Sequence, residues 1–145
     1  MKPASHPFHK TSIWGLYYEK CLLPLLQQSV GEELTKTEDC FDVIDFESKN
    51  YFVELKSRSD QYHYSQEFIK KKGWILPTCK IQRAVKEVEQ GKRVVFFYFW
   101  KAGKSLWRWD FRPEDLKDCK DEYPDWHRDQ QKQTYVKENH WVRVF

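Results

Sequence analysis

The chain has 145 residues, 40% hydrophobic and 17% aromatic, with 25 Lys and Arg against 22 Asp and Glu for a formal net charge of +3. That length fits one domain, 1–145, the aromatic content excludes a disordered chain, and the small net charge permits a nucleic-acid partner without establishing one. No window approaches the ~20 apolar residues of a membrane helix, and Cys21, Cys40, Cys79 and Cys119 are scattered, with no C-x-x-C pair and no apolar signal segment before them, so a soluble protein with free thiols in a reducing intracellular compartment is expected.

The N-terminal stretch carries Pro3, Pro7 and an H-x-x-H at His6 and His9, which reads as a polar tail because a zinc site needs a further ligand pair. Thr11 or Ser12 can cap a helix whose apolar positions include Ile13, Leu16, Tyr17, Leu22 and Leu26, with Gly31 as its stop and Pro24 kinking or dividing it. Residues 33–38 are a short strand candidate. "FDVIDFE" (41–47) and "YFVELKS" (51–57) then read as a hairpin around Ser48, Lys49 and Asn50.

Because strand side chains alternate faces, Glu54 and Lys56 project from one side of the second arm, and Val53 and Leu55 from the other. A three-residue loop ending on a left-handed Asn50 is the preferred turn; it sets Ile44 opposite Glu54 and Asp42 opposite Lys56, so that Asp42, Glu54 and Lys56 share a face. A two-residue loop slips the register by one and puts Asp45 there instead of Asp42.

Further on, "EFIKKKGWILP" (67–77) reads as a short helix or an irregular segment, and Thr78 caps a helix with Ile81, Ala84, Val85 and Val88 on one stripe and Gly91 as its stop. "RVVFFYFW" (93–100) is the continuous apolar run of a strand covered on both faces. Residues 102–104 turn into a partner strand, "SLWRWDF" (105–111), on which Trp107 and Trp109 share a face as packing residues. Pro113 opens a short helical segment, residues 118–133 read as a charged loop, and "HWVRVF" (140–145) is a last strand. The whole is an α/β chain with a mixed central sheet flanked by helices.

The acid-x-Lys triplet occurs four times, at Glu47, Glu54, Asp115 and Asp118, but only Glu54-x-Lys56 lies in an apolar strand with an aspartate brought to it by a hairpin. Burying such a pair is costly unless a counter-charge, a metal ion or a polyanion compensates it. Carboxylate oxygens suit Mg²⁺ or Mn²⁺, the backbone carbonyl of Leu55 adds an oxygen ligand, and Lys56 would orient a water and offset charge on a phosphoryl group. Basic residues follow the triplet: Arg58, Lys70, Lys71, Lys72, then Lys80, Arg83 and Lys86, interleaved with Tyr62, Tyr64 and Trp74 as stacking platforms. Lys80 and Gln82 open a helix whose first amides also favour phosphate.

"FDVIDFESKNYFVELKSR" (41–58) resembles the Asp then Glu-x-Lys signature of the PD-(D/E)XK nuclease superfamily, in the form found in small nucleases of phages and large DNA viruses. The resemblance implies a restriction-endonuclease-like core, helix, three strands, helix, strand, over residues 12–100, with additions at 101–145. It implies a viral, metal-dependent nuclease acting on DNA, with Asp42, Glu54 and Lys56 as catalytic residues and Glu19, in "YYEKC", as a helix-borne acid joining Asp42, Glu54 and Leu55 at the metal. No Pro precedes Asp42, and Gln82 is followed four residues later by Lys86 instead of Tyr, so the branch, and with it DNA or RNA substrate, stays open. A catalytically silent nucleic-acid-binding protein of the same fold and a protein interaction module are the alternatives. With no separate recognition domain evident, modest sequence selectivity or a homodimer is expected.

Overall fold

The computed structural model describes the backbone of residues 7–37, 45–58, 71–100, 104–122 and 132–145, and their side chains except 7–18 and 58. The chain divides into two compact units, Met1–Leu34 and Thr35–Phe145. The first holds one helix, α1 (Pro7–Val30), which begins before Thr11 and runs through Pro24 without being divided there. Leu22, Leu26 and Val30 are buried at four-residue spacing. Gly31, at φ 77°, ends the helix, its N–H donating to the Gln27 carbonyl at 2.8 Å, while the Gln27 side chain accepts the Leu34 N–H at 2.9 Å. Among the described residues no helix is long and apolar enough to cross a membrane.

The second unit is mixed α/β. Its six-stranded sheet joins β1 (Thr35–Lys36), β2 (Phe46–Glu47), β3 (Tyr51–Arg58), β5 (Arg93–Trp100), β6 (Ser105–Asp110) and β9 (Val142–Arg143) in the order β1-β2-β3-β5-β6-β9. β3 and β5 are parallel and the remaining pairs antiparallel. A parallel pair needs a crossover, supplied here by β4 (Trp74–Pro77) and helix α2 (Thr78–Glu89). Residues 94–98 of β5 are all buried, as a strand covered on both faces requires.

Residues 74–77 are thus a strand, not a helix or an irregular segment. Nor are residues 118–133 all loop: β7 (Cys119–Glu122) and β8 (Gln133–Val136) build a second sheet with β4 in the order β4-β8-β7. Charged β7, exposed at Lys120 and Asp121, lacks the alternating apolar pattern that marks a strand; pairing with the buried β8 holds it extended. Thr78 is the first residue of α2 and caps nothing. Its Oγ1 lies 2.8 Å from Thr134 Oγ1, which also donates to Asp121 Oδ1, so the hydroxyl ties the helix start to the second sheet.

Between helix, second sheet and main sheet lies an aromatic core of Phe52, Trp74, Phe96, Tyr98, Trp109, Phe111 and Trp141. Trp74 stands 4.4 Å, centroid to centroid, from Tyr98, and Phe96 stacks on Trp109 at 5.3 Å. Removing one such buried ring costs about 3–5 kcal/mol. Trp109 spends its one polar group on Asp115, in a short 3₁₀ helix at Pro113–Asp118: the indole N–H donates to Asp115 Oδ2 at 2.9 Å, and Arg112 donates to Oδ1 at 3.1 Å. Beside them, burial, reinforced by Asp115, Asp118 and Asp121, pushes the Cys119 thiol up to about 11.

Candidate active site

The hairpin between β2 and β3 takes the two-residue register. Phe46 faces Val53, Glu47 faces Phe52, and the Ser48 N–H donates to the Tyr51 carbonyl at 2.9 Å, leaving Lys49 and Asn50 as the turn. This corrects the three-residue loop. Two-residue hairpin turns ordinarily need positive φ, yet among the described residues Lys104 is the only non-glycine with one. One local side-chain bond and three long-range bonds hold the turn instead. Ser48 Oγ accepts the Tyr51 N–H at 3.1 Å, Lys92 Nζ donates to the carbonyls of Ser48 (2.8 Å) and Lys49 (2.7 Å), and the Arg93 N–H donates to the Asn50 carbonyl at 2.9 Å. The start of β5 therefore sets the register of β2 on β3.

Continued one step past Phe46, that register brings Asp45 beside Glu54. Asp45 Oδ2 accepts the Leu55 N–H at 2.9 Å. A strand residue sends its N–H and C=O to the same edge, so the Leu55 carbonyl is also turned toward Asp45. Asp42, the residue preferred from the sequence, lies outside the described residues.

Glu54 is 3% exposed, on the sheet face that α2 and the aromatic core cover. Its Oε1 is 2.8 Å from Lys80 Nζ, in the first turn of α2, while Oε2 is buried with no hydrogen-bond partner. Burial, and then the negative charge of Asp45, raise the Glu54 carboxyl well above its ordinary value, against the opposing pull of Lys80 and Lys56. For Lys80, burial acts to lower the ammonium, but Glu54 and Asp45 outweigh it and the net direction is upward. A charged ammonium is thus set against two acids, and burial together with the neighbouring Asp45 charge makes one of them reluctant to ionise.

Lys56, two residues past Glu54 on the same face, is half-buried and close enough to act on the Glu54 charge. Lys80, expected on an open phosphate groove, is instead engaged with Glu54. Its neighbour Gln82 is exposed, and Arg83 pairs with Glu87 at 2.7 Å along the helix. Arg58 ends β3 opposite Trp100. Trp74 is 1% exposed and packs in the core, which removes it as a stacking platform. Glu19 sits half-buried on α1, in the other unit.

Asp45, Glu54, Lys56 and Lys80 thus come together from the residue before β2, from β3 and from α2. The Lys80 contact joins residues 26 apart and has no local signature; its nearest signal was a lysine at the start of the helix that follows the triplet. Among the described residues no group of three or more His, Cys, Asp or Glu side chains gathers as a metal site. Comparison with protein-family models, with curated proteins and with solved structures found no match for this chain.

Proposed function

We propose that the protein is a divalent-metal-dependent nuclease that hydrolyses phosphodiester bonds, with DNA as its substrate and Asp45, Glu54, Lys56 and Lys80 at its centre. The observation that carries this reading is the buried Glu54 carboxylate with one oxygen unpartnered, an arrangement a folding core avoids and a cation would satisfy. The donors fit a hard ion: the carboxylates of Asp45 and Glu54 and the carbonyl of Leu55 are the one or two acids and a neutral oxygen that Mg²⁺ or Mn²⁺ takes alongside water and substrate phosphate. Asp42 remains a proposed further acid. When bound, such an ion polarises the phosphoryl group and lowers the pKa of a water.

The chain's own residues would do the rest. Asp45 is oriented by the Leu55 N–H, and Glu54 by the wall of the core behind it. Lys56 orients the attacking water and offsets charge growing on the phosphoryl oxygens. Lys80 holds Glu54 Oε1 and so would compete with a cation for it, its ammonium then being free to meet a substrate phosphate. We further infer a PD-(D/E)XK-like core, supported by the order α1, β1, β2, β3, α2, β5 and by the parallel pairing of β3 with β5 across the helix, with β4 as an addition.

One observation favours a second reading. The Lys80–Glu54 pair already neutralises the acid, as it would in a catalytically silent nucleic-acid-binding protein of the same fold. Incubation of labelled single-stranded, duplex and branched DNA and RNA with Mg²⁺, Mn²⁺ or EDTA separates the two. Products that require the metal support hydrolysis, and EDTA-insensitive binding without products supports the silent binder.

A further inference from the structure

Away from the Glu54 centre, a cleft of about 510 Å³ is lined by Lys71, Lys72, Trp107, Lys137, Glu138 and Trp141, with Gly73 at its back. Its volume is that of a small-ligand site. Three lysines face one glutamate, so it favours an anion.

Two separate segments supply those lysines, and the backbone is built to bring them together. Gly73, at φ 98°, lies so close to the end of β8 that a Cβ there would stand 2.3 Å from the Val136 carbonyl oxygen and 3.1 Å from the Lys137 nitrogen. Only glycine permits this approach, and it sets Lys71 and Lys72 beside Lys137. Lys72 is braced by Glu122 at 3.7 Å and by the Tyr135 ring at 5.5 Å, while Lys71 and Lys137 are exposed.

The aromatic side of the cleft is equally fixed. Trp107 is half-buried, and its indole N–H is held by Ser105 Oγ at 2.8 Å. Trp141 is buried, and its Nε1–H has no hydrogen-bond partner. The sheet register ties the cleft to the Glu54 centre: Lys56 pairs with Tyr98 and Tyr98 with Trp107, so Lys56 and Trp107 share a face two strand spacings apart, roughly 10 Å.

We propose that this cleft binds one phosphate-bearing nucleotide of a single strand, the lysines taking the phosphate and Trp107 the base, next to the bond presented to the Glu54 centre. Duplex is excluded by shape and chemistry: its bases already spend their faces on each other, whereas an unpaired base can stack on a fixed ring. The inference rests on the nuclease reading only for the cleft's place next to the bond to be cut; binding in the cleft does not require hydrolysis.

The test uses the full chain in EDTA, with a fluorescein-labelled 12-nucleotide oligothymidylate followed by anisotropy across a salt series. Lys71→Glu combined with Lys137→Glu, both exposed, should weaken binding at least tenfold and flatten the salt slope by about 1.4, at ~0.7 per lost phosphate contact on a single strand. Trp107→Leu should weaken it roughly fivefold or more without changing the slope. Affinity unchanged in the double lysine variant overturns the cleft, as does a duplex of equal length that binds as tightly and depends equally on these lysines. Glu54→Gln separates the two readings: binding kept and Mg²⁺-dependent cleavage lost supports both, whereas a wild-type chain that never cleaves but loses binding in the lysine variants leaves the cleft standing and removes the nuclease.

Discussion

Glu54 and Asp115 are both buried carboxylates against the same sheet face. They are linked through one line of the register: Glu54 pairs with Phe96, Phe96 with Trp109, and Trp109 donates to Asp115. Their exposures, 3% and 4%, are alike, and their surroundings are not. Asp115 spends one oxygen on the Trp109 indole and the other on Arg112. Glu54 has Lys80 on one oxygen and nothing on the other, with a second acid close by. Burial alone therefore does not mark a functional acid. What distinguishes Glu54 is a bare oxygen on a buried acid beside a like charge, and the proposed cation site rests on that feature.

The contrast breaks most sharply in activity. Glu54→Gln should cut metal-dependent hydrolysis by about 1,000-fold, roughly 4 kcal/mol of barrier at ~1.4 kcal/mol per tenfold. Asp115→Ala should leave turnover per folded molecule unchanged while costing about 1–3 kcal/mol in urea denaturation, because the Trp109 N–H loses its acceptor. Equal losses of turnover in the two variants would erase the distinction.

Next in size is the chemistry beside Asp115. With its thiol pushed up to about 11 by burial and then by Asp115, Asp118 and Asp121, Cys119 should be alkylated at pH 8 on the order of 100-fold more slowly than a free cysteine thiol. The sign follows from a raised acid. Cys119 favours the folded state while it is neutral, and that contribution is lost as pH rises through about 11. Asp115→Asn should speed its alkylation, read by mass spectrometry of peptides; no change would detach the thiol from that acid.

Manganese gives a third comparison. At 100 times its dissociation constant an ion stabilises the fold it binds by about 2.7 kcal/mol. Thermal unfolding of the wild type and of Asp115→Ala should show that gain, and Glu54→Gln should not. A gain that survives in Glu54→Gln would move the ion elsewhere. The smallest effect concerns Lys80. Removing the ammonium that competes for Oε1 in Lys80→Met should tighten Mn²⁺ binding by about tenfold, or ~1.4 kcal/mol, in calorimetric titration. Weaker binding would make Lys80 a support of the metal site and not its rival.

Much of this was legible locally. Period-two alternation put Glu54 and Lys56 on one face of β3, the apolar run announced β5 as a strand covered on both faces, and the stripe from Ile81 to Val88 announced α2. These features depend on neighbours within one element, where side-chain direction follows from backbone geometry. Which aspartate meets Glu54 could not be read that way. The hairpin register turns on Lys92 and Arg93, more than forty residues beyond the turn they hold, and a slip of one residue exchanges every side chain between faces.

The sequence by itself determined the main strands and helices and the acid and lysine of β3, because these follow from periodicity and from the chemistry of single residues. Only the tertiary structure decided that Asp45 is the acid beside Glu54, that Lys80 neutralises one of its oxygens and leaves the other bare, that Trp74 is core, and that β4, β7 and β8 form a second sheet. Each of these depends on segments far apart in the chain, the hairpin register included, and is selected by close packing and by hydrogen bonds that no local pattern encodes.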